Sequence, residues 1–231
     1  MLLPAAVEGV RPLDTEDTGV LEPGTTEIET SLDLARRHDE STFGSHVVIS
    51  HGVLPRLEAR VETGVAAFER PGTDASAGAA DSLVGFKYHL LDESTRTPAI
   101  LLAAAVRLPT GDEDRQLGAG DTAVVALIAL SRAWGPLTLT ANAGYVWSVA
   151  GRAGDTVLAA LAAECRLAAR WTLVGELVGI LGVGDQPNHV VSRLGAAWQV
   201  SPHVRLDGAA ATAIGRGSYD LIVTLGATFR F

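Results

Sequence analysis

Apolar and polar residues alternate with a period of two over nearly the whole chain from residue 24 onward, and this pattern constrains the fold more than any other feature. The last segment states it most clearly. Tyr219, Leu221, Val223, Leu225, Ala227, Phe229 and Phe231 share one parity, and Asp220, Thr224, Gly226, Thr228 and Arg230 the other, with Ile222 the single exception. A strand sends successive side chains to opposite faces, whereas a helix would scatter these residues around a cylinder. The same rule sets Leu57, Ala59, Val61, Val65 and Ala67 against Arg56, Glu58, Arg60 and Glu62. It sets Trp171, Leu173, Leu177 and Leu181 against Thr172 and Glu176.

About twelve such strands are predicted, over 24–36, 43–52, 56–69, 81–92, 96–109, 121–134, 136–150, 155–168, 170–182, 187–199, 203–215 and 218–231. The stretch from Asp121 to Trp134 fits least well, because Ala123 to Leu130 is apolar at both parities. Five connections are tight, around Leu54-Pro55, Glu93-Ser94, Gly135, Ala169 and Ser201-Pro202. The connections between them include the longest, Arg70 to Ala80 and Thr110 to Gly120, although those near Gly151 and Gly215 are short. An even number of alternating strands, with short turns at one end and longer loops at the other, describes an all-β, closed, antiparallel up-and-down transmembrane barrel in the bacterial outer membrane. Residues 24–231 form that barrel, and residues 1–23 read as an extended N-terminal tail. The first residues, Met1 to Gly9, resemble the end of a secretory signal around a small-residue cleavage site.

Composition agrees. Hydrophobic residues are 47% of the chain but aromatics only 5%, too few large side chains for an ordinary soluble core of this size. No apolar run approaches the ~18–20 residues of a membrane-spanning helix. The net charge of −9 excludes nucleic acid as the main partner. The one cysteine, Cys165, excludes an internal disulfide framework, and its parity places it among lipid-facing residues. The aromatics fall at strand ends. Trp134, Trp171, Trp198, Phe229 and Phe231 mark the periplasmic ends, and Tyr145, Trp147 and Tyr219 the opposite ends, as two girdles in contact with outer-membrane lipid.

The C-terminus, Leu225-Gly226-Ala227-Thr228-Phe229-Arg230-Phe231, resembles the terminal signal of outer-membrane proteins, which implies recognition of Phe231 by the barrel assembly machinery. A narrower likeness rests on Asp81-Ser82-Leu83-Val84-Gly85-Phe86-Lys87-Tyr88, Leu108-Pro109-Thr110-Gly111-Asp112 and Ser201-Pro202-His203-Val204-Arg205-Leu206-Asp207. With the final Thr-Phe-Arg-Phe, these stretches resemble the outer-membrane transporter family of the phenol-degradation meta-pathway. That resemblance implies a barrel that moves small organic molecules.

The inward parity concentrates the chemistry. Arg56, Glu58, Arg60 and Glu62 alternate in sign along one strand, ~6.6–7 Å apart. Glu27, Glu29, Lys87 and Glu164 project to the same side from other strands, as do Arg166, Glu176, Arg205, Asp207 and Arg230. Such a belt either selects solutes at a constriction or plugs a narrow barrel by mutual pairing. Closure brings the first and last strands together, so Arg230 is expected close to Glu27 or Glu29. Small inward residues (Ala99, Ala103, Ala105, Ala160, Ala162, Ala209, Ala211 and Ala213) leave volume along the lumen for a small apolar or aromatic solute.

Catalysis finds no support. His46 and Ser50 share a face without an acid partner at catalytic spacing, and His46 and His51 fall on opposite faces. Asp112-Glu113-Asp114 with Asp121 lacks the spacing of a dedicated calcium loop, and Gly182 and Gly184 are followed by no helix that would make a phosphate cradle. No enzyme activity, metal or cofactor is therefore expected. The leading expectation is a pore or transporter for small organic solutes. The alternatives are a sealed structural or adhesive barrel acting through its outer loops and a soluble lipid-binding barrel.

Overall fold

The computed structural model describes residues 11–38, 40–69, 71–72, 74–215 and 219–231; the signal-like stretch Met1 to Gly9 lies outside them. The chain forms β1 (Thr26–Arg37), β2 (Glu40–Leu54), β3 (Leu57–Glu69), β4 (Ser76–Ala79), β5 (Ser82–Leu91), β6 (Ala99–Leu108) and β7 (Ala123–Trp134). It continues through β8 (Leu137–Ser148), β9 (Thr156–Ala168), β10 (Trp171–Gly182), β11 (His189–Ser201), β12 (Val204–Gly215) and β13 (Leu221–Arg230). Every pairing is antiparallel. β4 and β5 are two segments of one stave, since β4 pairs with β3 at Val65–Phe68 and β5 pairs with it at Leu57–Glu62. Twelve staves result, and the sheet closes where β1 meets β13, with Glu27 opposite Arg230 and Arg36 opposite Leu221.

The alternation read from the sequence becomes the inside and outside of the wall. β7 obeys it despite being apolar on both faces: Ala123, Val125, Leu127 and Ala129 are buried inside, while Ile128 and Leu130 are exposed outside. Leu32, Ile49, Phe86, Leu161, Leu177 and Leu225 are among the large apolar side chains exposed on the outer surface, an arrangement stable against lipid and not against water. Trp134, Tyr145, Trp147, Trp171, Trp198, Phe229 and Phe231 all lie exposed on that surface. Trp171 and Trp198 sit opposite one another in the ladder and stack with ring centroids 5.8 Å apart.

Tyr219 departs from this pattern. It is 7% exposed and belongs to the interior cluster, with its hydroxyl 3.4 Å from Thr42 Oγ1. The reason is local. β13 begins at Leu221, so Tyr219 lies in the irregular stretch before it, where strand parity does not apply. Ile222, the apolar intruder on the polar parity, is buried in the same interior cluster.

Candidate functional site

The segment 11–23, read from the sequence as a tail, runs through the barrel. Buried backbone must find hydrogen-bond partners, and here wall side chains supply them. The Glu176 carboxylate accepts from the amide of Asp14 at 3.0 Å, and from the amide and hydroxyl of Thr15 at 2.9 and 2.7 Å. Asn142 accepts from the Glu16 amide at 2.7 Å and donates to the Glu16 carbonyl at 2.8 Å. Farther along, the Leu21 amide donates to Glu58 at 2.9 Å. Arg193 donates to the Pro12 carbonyl at 3.0 Å and to Asp14 at 2.6 Å, and pairs with Glu176 at 2.9 Å.

Side chains of the segment complete the wall's charge pairs. Glu16 is 1% exposed and receives Lys87 Nζ at 2.7 Å and Arg60 Nη1 at 3.0 Å. Lys87 also approaches Asp17 at 3.5 Å and Glu58 at 3.9 Å. Arg11 pairs with Asp207 at 3.3 Å and donates to Thr224 at 3.1 Å. Val20 packs on the apolar inner patch of Leu101, Ala103, Leu127 and Ala129, which explains why β7 carries apolar residues on its inner face as well. Two wall glycines make room. A Cβ at Gly226 would lie 2.3 Å from the Arg11 guanidinium, and one at Gly52 would lie 2.1 Å from the Glu22 carbonyl oxygen.

The inward residues singled out from sequence now have positions. Glu29, Glu58, Arg60, Glu62, Lys87, Glu176 and Asp207 are buried in the lumen, and Glu164 and Arg205 are half-buried. Arg205 stands 3.8 Å from Glu29. At the periplasmic rim Arg230 donates twice to Glu27, at 2.8 and 2.7 Å, the contact that closure required. Two residues are not in the belt. Arg56 sits at the turn before β3 with φ of 70° and pairs with Asp92, both exposed at the rim. Arg166 has the inward parity but is exposed, because β9 there runs past the packed lumen and its ladder with β10 is irregular between Trp171 and Thr172. The sequence reading missed the segment's own Arg11, Asp14 and Glu16, and the wall residues Arg107, Asn142 and Arg193. Arg107 and Arg193 were legible by parity, since they continue the inward rows of Ala103 and Ala105 and of Ala197 and Gly195.

The segment lines two cavities. One, about 230 Å³, is polar and opens among Glu27, Glu29, Arg60, Lys87, Arg205 and Arg230 on the periplasmic side. The other, about 620 Å³, lies between residues 11–14 and the outer loops; its walls include Ala35, Ala66, Ala80, Val146, Ile180 and Ile222. Two aspartates hold the loops above it. Asp81 accepts from the amides of Gly111 and Ala119 at 3.0 and 2.8 Å. Asp121 accepts from the Ser148 hydroxyl and from the amides of Ala150 and Arg152, both at 3.1 Å. The Ser148 hydrogen bond, with those amides, holds the Asp121 carboxyl below the usual range. His46 lies 3.6 Å from Glu62, and His51 meets Thr26 on the opposite face. Among the described residues no group of three or more His, Cys, Asp or Glu side chains could hold a metal ion.

A family model described as "Putative MetA-pathway of phenol degradation" matches residues 10–231. No curated protein matches the sequence. Among solved structures, an outer-membrane channel from Pseudomonas putida F1 superposes with a TM-score of 0.73 at 12% identity, covering 93% of this chain and 98% of that one. The KdgM porin does so with 0.65 at 9% identity, covering 89% and 99%. The NanC porin gives 0.61 at 9% identity, covering 88% and 98%.

Proposed function

Because the chain belongs to the MetA-pathway phenol degradation family, we propose that it is an outer-membrane channel for small, largely apolar organic solutes, aromatic ones included, and that residues 11–23 close it. The observation that carries this reading is the division of the lumen. A mostly apolar cavity of about 620 Å³ faces outward, a polar one of about 230 Å³ faces the periplasm, and the segment lies between them. A cavity of about 150 Å³ already accommodates benzene, so the outer one takes a small aromatic with space to spare. A solute then advances when the segment shifts, because its contacts with the wall are hydrogen bonds and ion pairs that water can replace. The charged belt of Glu29, Glu58, Arg60, Glu62 and Lys87 serves as the segment's dock in this reading. Phe231, 73% exposed at the end of the last stave, is the handle for the barrel assembly machinery.

A sealed barrel acting through its loops is the other reading, and the occupied lumen favours it. The apolar cavity stands against it, since purely structural small barrels are filled by side chains. The test is uptake of radiolabelled ethylbenzene by cells with an intact lipopolysaccharide leaflet, with and without the protein. Faster uptake that increases further when the segment is weakened supports the channel. Correctly folded protein with no effect on uptake, native or weakened, overturns it in favour of the sealed barrel.

A further inference from the structure

We propose that the outer cavity is a binding site for a small apolar molecule carrying one uncharged oxygen acceptor, and that Arg107 is the residue that selects it. This rests on the channel reading and names the ligand chemistry of its outer chamber. Arg107 lies near the end of β6 and points inward, opposite Leu83 and Ala123, both buried. It is 5% exposed and lines the cavity. Its nearest carboxylate, Asp81, is 3.8 Å from Nε, beyond hydrogen-bonding distance. Asp81 is already committed to the amides of Gly111 and Ala119, and Asp121, whose charge also acts on Arg107, is committed to Ser148, Ala150 and Arg152. Among the described residues the Arg107 side chain therefore makes no hydrogen bond, and its Nε, like those of Arg11 and Arg205, is buried without a hydrogen-bond partner. The buried lumen cations Arg11, Arg60, Lys87 and Arg193 all have close acceptors. A guanidinium presents five donors in a planar fork, and one with no acceptor within hydrogen-bonding distance favours a ligand that supplies one.

The charge balance decides what kind of acceptor. Five carboxylates and four guanidinium groups line the cavity, so its charge is already slightly negative. The fields of Asp81 and Asp121 offset that of Arg107. A carboxylate ligand would bring a further anion into this field and lose its hydration shell. A ketone, ester or undissociated hydroxyl satisfies the N–H groups without adding charge. The walls at Val146, Ile180 and Ile222 receive its hydrocarbon part, and a flat ring stacks on the guanidinium plane.

The experiment uses the full chain in lipid nanodiscs and three probes of similar shape: ethylbenzene, acetophenone and benzoate. Acetophenone is expected to bind about tenfold or more tighter than ethylbenzene, as one hydrogen bond to a charged donor provides. Benzoate is expected to bind more weakly than acetophenone. In Arg107→Met the preference for acetophenone over ethylbenzene disappears. In the native protein acetophenone moves the Arg107 Nε–H resonance downfield, as a new hydrogen bond does, and ethylbenzene does not, a readout that stands even if the variant fails to fold. Equal affinity for acetophenone and ethylbenzene in the native protein, or a preference that survives Arg107→Met, overturns the proposal. Tightest binding by benzoate overturns the requirement for a neutral acceptor. Arg107-dependent binding without uptake would sink the channel reading alone, and uptake of hydrocarbon without the preference would sink this one alone.

Discussion

Replacing Glu16 by Gln tests whether the segment 11–23 is held by the charge network or merely rests in the lumen. The carboxylate of Glu16 accepts from Lys87 at 2.7 Å and from Arg60 at 3.0 Å, with all three side chains no more than 9% exposed. Glutamine keeps one acceptor and removes the charge. Lys87 is then left with Asp17 at 3.5 Å and Glu58 at 3.9 Å. Removing one member of a buried ion pair costs about 3–5 kcal/mol, because its partners remain desolvated. That cost falls on the docked state: once the segment leaves, water reaches Lys87 and Arg60. The ratio of closed to open channel should therefore fall by roughly two to nearly four orders of magnitude. The assay is open probability in a planar bilayer, with barrel folding verified by the heat-dependent gel shift. A double-mutant cycle with Lys87→Met sharpens it, since Glu16→Gln should cost less where one partner is already gone. A folded Glu16→Gln barrel that opens no more often than the native one would refute the reasoning, as would strictly additive effects in the cycle.

Three further outcomes follow from the same geometry. Gly226→Val and Gly52→Val each place atoms where Arg11 or the Glu22 carbonyl now lies; both should loosen the segment, read as faster protease cleavage within residues 11–23, while Gly135→Ala at the distant turn should not. Leu225→Arg puts a charge on the lipid face near the middle of β13 and should destabilise the barrel by about 2–4 kcal/mol in urea unfolding from vesicles; an unchanged midpoint would contradict the assignment of that face to lipid. Because the carboxyl of Asp121 is held below its ordinary 3.8, its anchoring of Ala150 and Arg152 is fully present above that pH and is lost as pH falls through the lower folded value. Protection of those two amides against hydrogen exchange, relative to the intrinsic rate at each pH, should hold at pH 5 and fall only below about 3.8, and Asp121→Asn should weaken it at pH 7.

The wall was legible because a lipid-facing strand must be apolar at every second residue, and nothing else in a protein enforces that rule for so long. The ladder of β1 against β13 followed from closure alone, and Glu27 meets Arg230 as it requires. Legibility stopped where strand geometry stops. Arg56 and Tyr219 keep the parity of their neighbours but lie outside the strands, where the backbone no longer alternates, so one is exposed at the rim and the other enters the lumen. The break between β4 and β5 at Ala80 and Asp81 is of the same kind, since Asp81 is turned to bind the loop amides of Gly111 and Ala119.

The segment in the lumen left a trace that the alternation of strands obscures. By sign alone Glu58, Arg60 and Glu62 would neutralise one another, yet residues two apart on a strand stand ~6.6–7 Å apart, well beyond ion-pair contact. No charge in that row is paired along its own strand. Each needs a partner from across the sheet or from within the barrel, or else it stays wet. Lys87 on β5 approaches Glu58 only to 3.9 Å. The close acceptor for Lys87 and Arg60 is Glu16, contributed by a stretch whose acidity, turn residues and scarcity of large apolar side chains made it look like a solvated tail. The same composition suits a segment that crosses a polar lumen, because Asn142, Glu176 and Glu58 present it with acceptors and donors much as water would. An inward row of alternating charges too far apart to pair along its own strand, beside a short acidic stretch outside the strands, is therefore the combination that points to an occupied lumen.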